Sequence, residues 1–228
     1  MAASVSLNKY VSATGICSRR EADRWIEAGR LRINGQVAVK GNRVEEGDQV
    51  TLDGAPLGER PPAVYLAFHK PAGVTCTTDQ RDPDNITDFI NYPERIFPVG
   101  RLDKASTGLL LLTNDGDVVN DVLRAEHGHE KEYIVTVDQP VSDRFVRRMG
   151  SGVPILGTRT RPCTVERLGD RSFRIVLTEG MNRQIRRMCE YLGYRVLTLK
   201  RVRIMTIELG DLPVGAYREI PSFREFFE

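Results

Sequence analysis

Ala22, Trp25 and Ile26 recur at helical spacing behind Ser18-Arg19-Arg20-Glu21, and Gly29 follows where a helix stops. The serine is placed to accept from the third amide of that helix while the glutamate reaches back, a capping box. Leu31, Ile33, Val37 and Val39 then alternate with polar residues about Asn34-Gly35, the strongest short hairpin signal. Val44, Val50 and Leu52 carry the strand pattern on around Glu46-Gly47-Asp48. Helices followed by a small β-structure over residues 5–53 predict a self-contained module.

Residues 54–62 break the pattern. They are rich in glycine and proline, which excludes helix and predicts a connector. Beyond it the strand-like runs are 64–68, 108–113, 133–137, 173–177, 196–199 and 204–209. Two helical stretches interrupt them, 118–124 and 182–192, the second with Ile185, Met188, Cys189 and Leu192 on one apolar stripe. The order predicts an α+β protein: a small α-plus-hairpin domain over 1–62, then a domain over 63–228 with a mainly antiparallel sheet.

Composition narrows the setting. The chain has 228 residues, 40% of them hydrophobic, and a net charge of +2, so it can bury a core and is no polybasic coat. No apolar run approaches the roughly 20 residues that span a bilayer, and residues 1–10 lack the apolar core of a signal peptide. Cys17, Cys76, Cys163 and Cys189 form no Cys-x-x-Cys pair, and His127 and His129 read as a loop about a glycine. The expectation is a cytoplasmic monomer with free thiols and no structural metal. No Gly-x-x-x-x-Gly-Lys-Ser/Thr loop occurs, so no nucleotide cofactor is expected, nor any other.

Charge is concentrated locally. Residues 9–32 hold six basic side chains against three acidic ones, with Arg20 and Arg24 one turn apart. Residues 181–203 hold seven basic side chains against Glu190 alone, which predicts a face turned toward RNA. Asp103 lies on the loop before the buried run 108–113. A rigid strand can fix a carboxylate there, although a turn aspartate capping its own backbone reads the same way.

The motifs decide between those readings. Leu7-Asn8-Lys9-Tyr10, Gly15-Ile16-Cys17-Ser18-Arg19-Arg20-Glu21-Ala22 and Gly29-Arg30-Leu31-Arg32-Ile33-Asn34-Gly35 together resemble an S4 RNA-binding module. Gly100-Arg101-Leu102-Asp103 followed by Thr107-Gly108-Leu109-Leu110 resembles the central motif of pseudouridine synthases. His69-Lys70-Pro71-Ala72-Gly73, Lys131-Glu132-Tyr133 and Asn182-Arg183-Gln184-Ile185-Arg186-Arg187-Met188 match the same family in order. Gly152-Val153-Pro154-Ile155-Leu156-Gly157-Thr158 points to the branch acting on large-subunit ribosomal RNA.

That resemblance implies isomerisation of a uridine in a stem-loop of 23S rRNA, extending to a tRNA anticodon loop of similar shape. It implies catalytic roles for Asp103, Tyr133 and Arg186. RNA binding would fall to Arg19, Arg20 and Arg24 of the front module and to Arg101, Arg183 and Arg187. Lys70 and Pro71 are expected to shape a strand end. A carboxylate suits the reaction, because breaking the N1–C1′ bond gives the sugar oxocarbenium character that an anion attacks or stabilises. Attack at C1′ and removal of the C2′ proton both remain open. Two rivals predict other products: a non-catalytic S4 assembly factor leaves RNA unchanged, and an N-glycosidase leaves an abasic site.

Overall fold

The structure is a computed structural model that describes residues 4–123 and 128–226. Arg124 and His127, named above, lie outside the described residues. The chain separates into two compact units, one running to Ala63 and including Tyr92–Arg95, the other comprising Val64–Asn91 and the chain from Ile96.

In the first unit β1 (Val5–Ser6), α1 (Leu7–Ala13) and α2 (Arg19–Glu27) precede β2 (Leu31–Ile33), β3 (Gln36–Val37), β4 (Arg43–Val44), β5 (Val50–Leu52) and β6 (Ala55–Pro56). Ser18 Oγ accepts from the Glu21 N–H at 3.1 Å, while Glu21 Oε2 accepts from Arg24 Nη1 at 2.9 Å. Asn34 and Gly35 take φ of 50° and 80°, so the two-residue turn between β2 and β3 forms as its sequence demands. A small sheet of order β3-β2-β5-β6 results, and β1 pairs β4. Leu7, Val11, Ala22, Ile26, Leu31, Val44 and Val50 make the core.

Two expectations need correction here. Val37 and Val39 are exposed, and Ala38 between them is buried, because the return strand ends at Val37 and the backbone then turns. The connector also begins later than 54: Asp53 and Gly54 (φ 52° and 85°) make a second tight turn, and Ala55–Pro56 pair with Thr51 and Leu52. Pro56 is tolerated because β6 is a sheet edge.

The second unit contains β7 (Tyr65–Lys70), α3 (Ile86–Ile90), β8 (Phe97–Val99), β9 (Thr107–Thr113), α4 (Gly116–Leu123), β10 (Lys131–Val137) and α5 (Asp143–Gly150). It continues with β11 (Pro154–Ile155), β12 (Thr158–Arg159), β13 (Thr164–Arg167), β14 (Ser172–Leu177) and α6 (Gln184–Tyr191). Last come β15 (Val196–Ile204), β16 (Ile207–Glu208), β17 (Tyr217–Glu219) and a 3₁₀ turn, Phe223–Phe226. The main sheet runs β13-β14-β10-β15-β9-β7-β17, with β8 on β9 and β16 on β15. Among the described residues β9 and β15 are the one parallel pair of strands, beside an isolated parallel bridge between Thr75 and Asn85.

The strand β9 is covered on both faces, so it reads as unbroken Leu109–Leu112 rather than as alternation. On one side Leu109 and Leu111 pack with Val118 and Val122 of α4 and with Phe223. Phe145 of α5 meets Phe173 of β14 with ring centroids 5.1 Å apart. The run 204–209 is not one strand: Met205 at φ 52° turns the chain back so that β16 pairs with the end of β15.

The turn after β9 carries a structural carboxylate. Asp115 is buried, accepts from the Tyr65 hydroxyl at 2.7 Å and from the Asp117 N–H at 3.0 Å, and so starts α4. Asp115→Asn keeps the shape but points an amide donor at one of those donors. The expected cost is about 1–2 kcal/mol, read from urea unfolding, with the chemistry that the motifs lead one to expect unchanged in the folded protein. An activity loss at unchanged stability would contradict this placement.

Candidate active site

The loop from Asp103 to Ser106 joins the region after β8 to β9, and backbone and buried-lysine contacts hold it on several sides. The Ser106 N–H donates to Asp103 O at 2.9 Å, and the Gly73 N–H donates to Lys104 O at 2.8 Å. Lys70 ends β7 fully buried, and its Nζ donates to the carbonyls of Pro71, Lys104 and Ser106 at 2.8, 3.3 and 2.9 Å. Burial pulls the lysine pKa below its ordinary value, and the nearby negative charge of Asp103 acts in the opposite sense. Lys70 therefore does more than shape a strand end; its ammonium collects the carbonyls of the Asp103 loop.

The Asp103 carboxylate is 29% exposed and faces the start of α6. Arg186 Nε lies 3.4 Å from Asp103 Oδ2, and Arg183 Nη1 lies 3.8 Å from the same oxygen. Arg186 is 14% exposed and Arg183 51%, so one cation is sheltered and the other opens to solvent. A second contact, from Arg186 Nη2 to Ser106 Oγ at 3.1 Å, fixes the guanidinium on the loop that carries the carboxylate. Glu190 stands one turn on from Arg186, but the guanidinium turns to Asp103 and Ser106 instead. Arg183 sits just before α6 in the left-handed region (φ 51°), which turns it away from the helix surface.

Behind the pair lies a cleft open to solvent, lined in part by Arg101, Asp103, Tyr133, Glu179, Arg183 and Arg186. Tyr133 enters from β10, its ring buried to 9% exposure. Arg101 is exposed at the rim, and among the described residues it has no hydrogen-bond or ion-pair partner.

Not every expected basic residue reaches this cleft. Arg187 is tied back, donating to Asn182 O at 3.0 Å and to its Oδ1 at 3.2 Å. The expected basic face of 181–203 is partly internal. Arg201 is buried with its Nε on Leu109 O at 2.7 Å, Arg203 pairs with Glu130 and Glu132, and Arg195 pairs with Asp138. Arg201 and Arg203 are committed within the fold because β15 continues past 199 into the centre of the sheet, whereas Arg195 precedes that strand and keeps an exposed pair. Arg19, Arg20 and Arg24 are exposed on α2 of the first unit, with Arg24 held by Glu21.

Two contributors were not anticipated. Ser106 carries no motif signal beyond its place between Asp103 and Thr107. Glu179 also lines the cleft, but its Oε1 accepts from the Arg161 N–H at 2.9 Å and Gln184 Nε2 at 2.7 Å, so it braces the loop before α6. The thiols offer no rival nucleophile: burial raises Cys76 and Cys189, the latter to about 12. Among the described residues no three His, Cys, Asp or Glu side chains gather to hold a metal ion.

A sheltered carboxylate beside two arginines, in a cleft that a tyrosine also lines, is an arrangement that suits sugar-centred chemistry. The comparisons agree. Residues 64–191 match the family of RNA pseudouridylate synthases and residues 5–50 match the S4 domain. The chain belongs to the RNA pseudouridylate synthase family. Over 219 residues it is 53% identical to the dual-specificity RNA pseudouridine synthase RluF of Salmonella typhi, covering 95% of this chain and 76% of that one. It is 34% identical over 223 residues to the ribosomal large subunit pseudouridine synthase B of Bacillus subtilis, 94% and 91% of the two chains. A crystal structure of a pseudouridylate synthase superposes with a TM-score of 0.71 at 28% identity, over 98% of this chain and all of that one. This pseudouridine synthase is thus an isomerase acting on RNA, with an S4 domain in front. Among its described residues no helix is long and apolar enough to cross a membrane.

Proposed function

We propose that this synthase isomerises one uridine in a stem-loop of large-subunit ribosomal RNA, and a second in a tRNA anticodon loop of matching shape. The observation that carries the chemical part is the Asp103–Arg186 contact of 3.4 Å at the mouth of the cleft. A carboxylate needs such a cation to stay charged once RNA excludes water from around it. Asp103 acts at the ribose to release N1 from C1′. Tyr133 stacks on the freed uracil, which turns in the RNA-covered cleft, joins C5 to C1′ and gives up its C5 proton while N1 takes one up. Arg186 holds the carboxylate ionised and aimed.

Glu179, the other carboxylate lining the cleft, is engaged by Arg161 and Gln184, so Asp103 acts alone once RNA covers the site; a site admitting water would lose uracil by hydrolysis. A paired uridine cannot reach such a cleft, so it must flip out of its stack. Arg101, exposed at the rim, is positioned to fill the gap the base leaves. Arg183 and Arg187 meet the RNA backbone nearby, and Arg19, Arg20 and Arg24 contribute phosphate contacts from the S4 domain. The enzyme works as a cytoplasmic monomer without a cofactor.

The target assignment draws on the relatives, one named for two specificities and one for the ribosomal large subunit. It is tested by mapping pseudouridine in rRNA and tRNA from cells with and without this protein. One 23S rRNA site and one tRNA site should disappear. Loss confined to small-subunit rRNA would overturn the target, and an abasic site in place of pseudouridine would overturn the reaction.

A further inference from the structure

The far end of α6 borders a second cleft that the chemistry above leaves unused. About 350 Å³ of open space lies between Arg148 and Ser151 at the end of α5, Gly152 and Arg159 around the β11–β12 hairpin, and Tyr191 and Leu192 of α6. Gly152 has φ +89°, and a Cβ there would lie 2.5 Å from Thr160 O and 3.5 Å from Arg159 Nε. Only glycine lets the Thr160 carbonyl lie so close to the backbone, and the Arg159 side chain passes the same spot at ordinary contact distance. Val153 N–H donates to Thr160 Oγ1 at 2.9 Å and Thr160 N–H donates to Val153 O at 3.0 Å, which stiffens the hairpin base.

The cleft's charges are uncommitted. Arg148 and Arg159 are exposed, and among the described residues neither guanidinium has a hydrogen-bond or ion-pair partner. Residues 143–161 hold five arginines against Asp143 alone. Tyr191 is 53% exposed, an unusual place for a ring that could have packed inward. Glu190, the one acid adjacent on α6, does not line the cleft.

Two guanidinium forks with no carboxylate to hold suit a phosphate, and an open ring beside them suits a base. A rise of 1.5 Å per residue along α6 puts Tyr191 roughly 12 Å from Arg183. At about 3.4 Å per stacked nucleotide that is about three to four positions from the Asp103 cleft. We propose that this cleft is a second RNA subsite, which takes one nucleotide flanking the target uridine, its phosphate between Arg148 and Arg159 and its base on Tyr191. The inference rests on the reading that Asp103 marks the place of the isomerised uridine.

The test uses the full chain and two stem-loops around the mapped uridine, one extending about five nucleotides to either side and one trimmed to about two. The variants are Arg148→Ala/Arg159→Ala and Tyr191→Ala, with Arg144→Ala as a charge control off the cleft. On the long RNA the double variant should bind about 10–100-fold more weakly, with a salt slope shallower by about 1.4–1.8. Tyr191→Ala should lose about tenfold. The short RNA should bind all variants alike, and the single-turnover rate at saturation should not change. Equal losses on both RNAs, or as large a loss with Arg144→Ala, would reduce the effect to general electrostatics and overturn the subsite. Unchanged affinity for the long RNA, or a slower saturated rate, would overturn it as well. A wild-type protein that binds the long RNA yet forms no pseudouridine would count against the reading of the reaction, and the affinity comparison would still decide the subsite.

Discussion

Asp103→Asn is expected to leave the protein folded and RNA-bound while lowering pseudouridine formation by at least about 10³-fold. The change keeps the side chain's shape and removes its charge. Asp103 is part-exposed, with its carboxylate turned to Arg183 and Arg186 rather than into the core, so little stability depends on it. Losing the anion also frees two guanidinium groups beside the cleft, and affinity for the RNA polyanion should hold or rise slightly. Chemistry fares differently. An amide neither attacks C1′ nor balances the positive charge that develops on the ribose. Digesting the RNA after a single-turnover reaction and counting pseudouridine is a direct measurement. Turnover near the wild-type rate would remove Asp103 from the reaction and leave Glu179 as the nearest carboxylate to consider.

Parts of the molecule governed by neighbours in sequence were readable before the fold was known. The Ser18 cap and the Asn34-Gly35 turn each depend on contacts within a few residues, and each forms as its residues require, while β9 was legible from its unbroken apolar run although its partners β7 and β15 are distant in sequence. The Asp103 site was readable for another reason, its resemblance to a family in four ordered motifs. What spacing could not show is where charge goes once strands assemble. Counting charges over 181–203 took every cation as outward, yet Arg201 faces Leu109 O across a strand pair 92 residues distant in sequence. Lys70 was likewise readable only as a strand end, since the carbonyls it gathers are supplied 34 and 36 residues later. The helix α5 also went unread, although Ser142 caps it and Phe145 and Met149 anchor it. Four of its eight positions carry charge, which masks a short apolar stripe.

Gly108→Ala is expected to be the most damaging single methyl group in the protein. Gly108 stands at φ +108°, where the parallel pair β9–β15 brings it opposite Arg201. A Cβ there would lie 2.5 Å from Arg201 N and 2.9 Å from its carbonyl carbon, with the carbonyl oxygen closer still. The obstacle is backbone in the centre of a sheet, not the far end of a flexible side chain, so neither strand can yield without breaking the other's pairing. Strain at a left-handed position adds to the clash. Together they should cost about 4 kcal/mol or more, seen as lost soluble yield or a thermal transition lowered by about 10 °C or more. Any folded fraction should also be poorly active, because β9 carries the Asp103 loop and Lys70 clasps that loop from the adjacent strand. Gly116→Ala is the matched control: it starts α4, no heavy atom lies within 4 Å of its added Cβ, and the helix favours alanine. If both variants melted with the wild type, β9 and β15 could not approach as closely as described, and the support for Asp103 from behind would have to be found elsewhere.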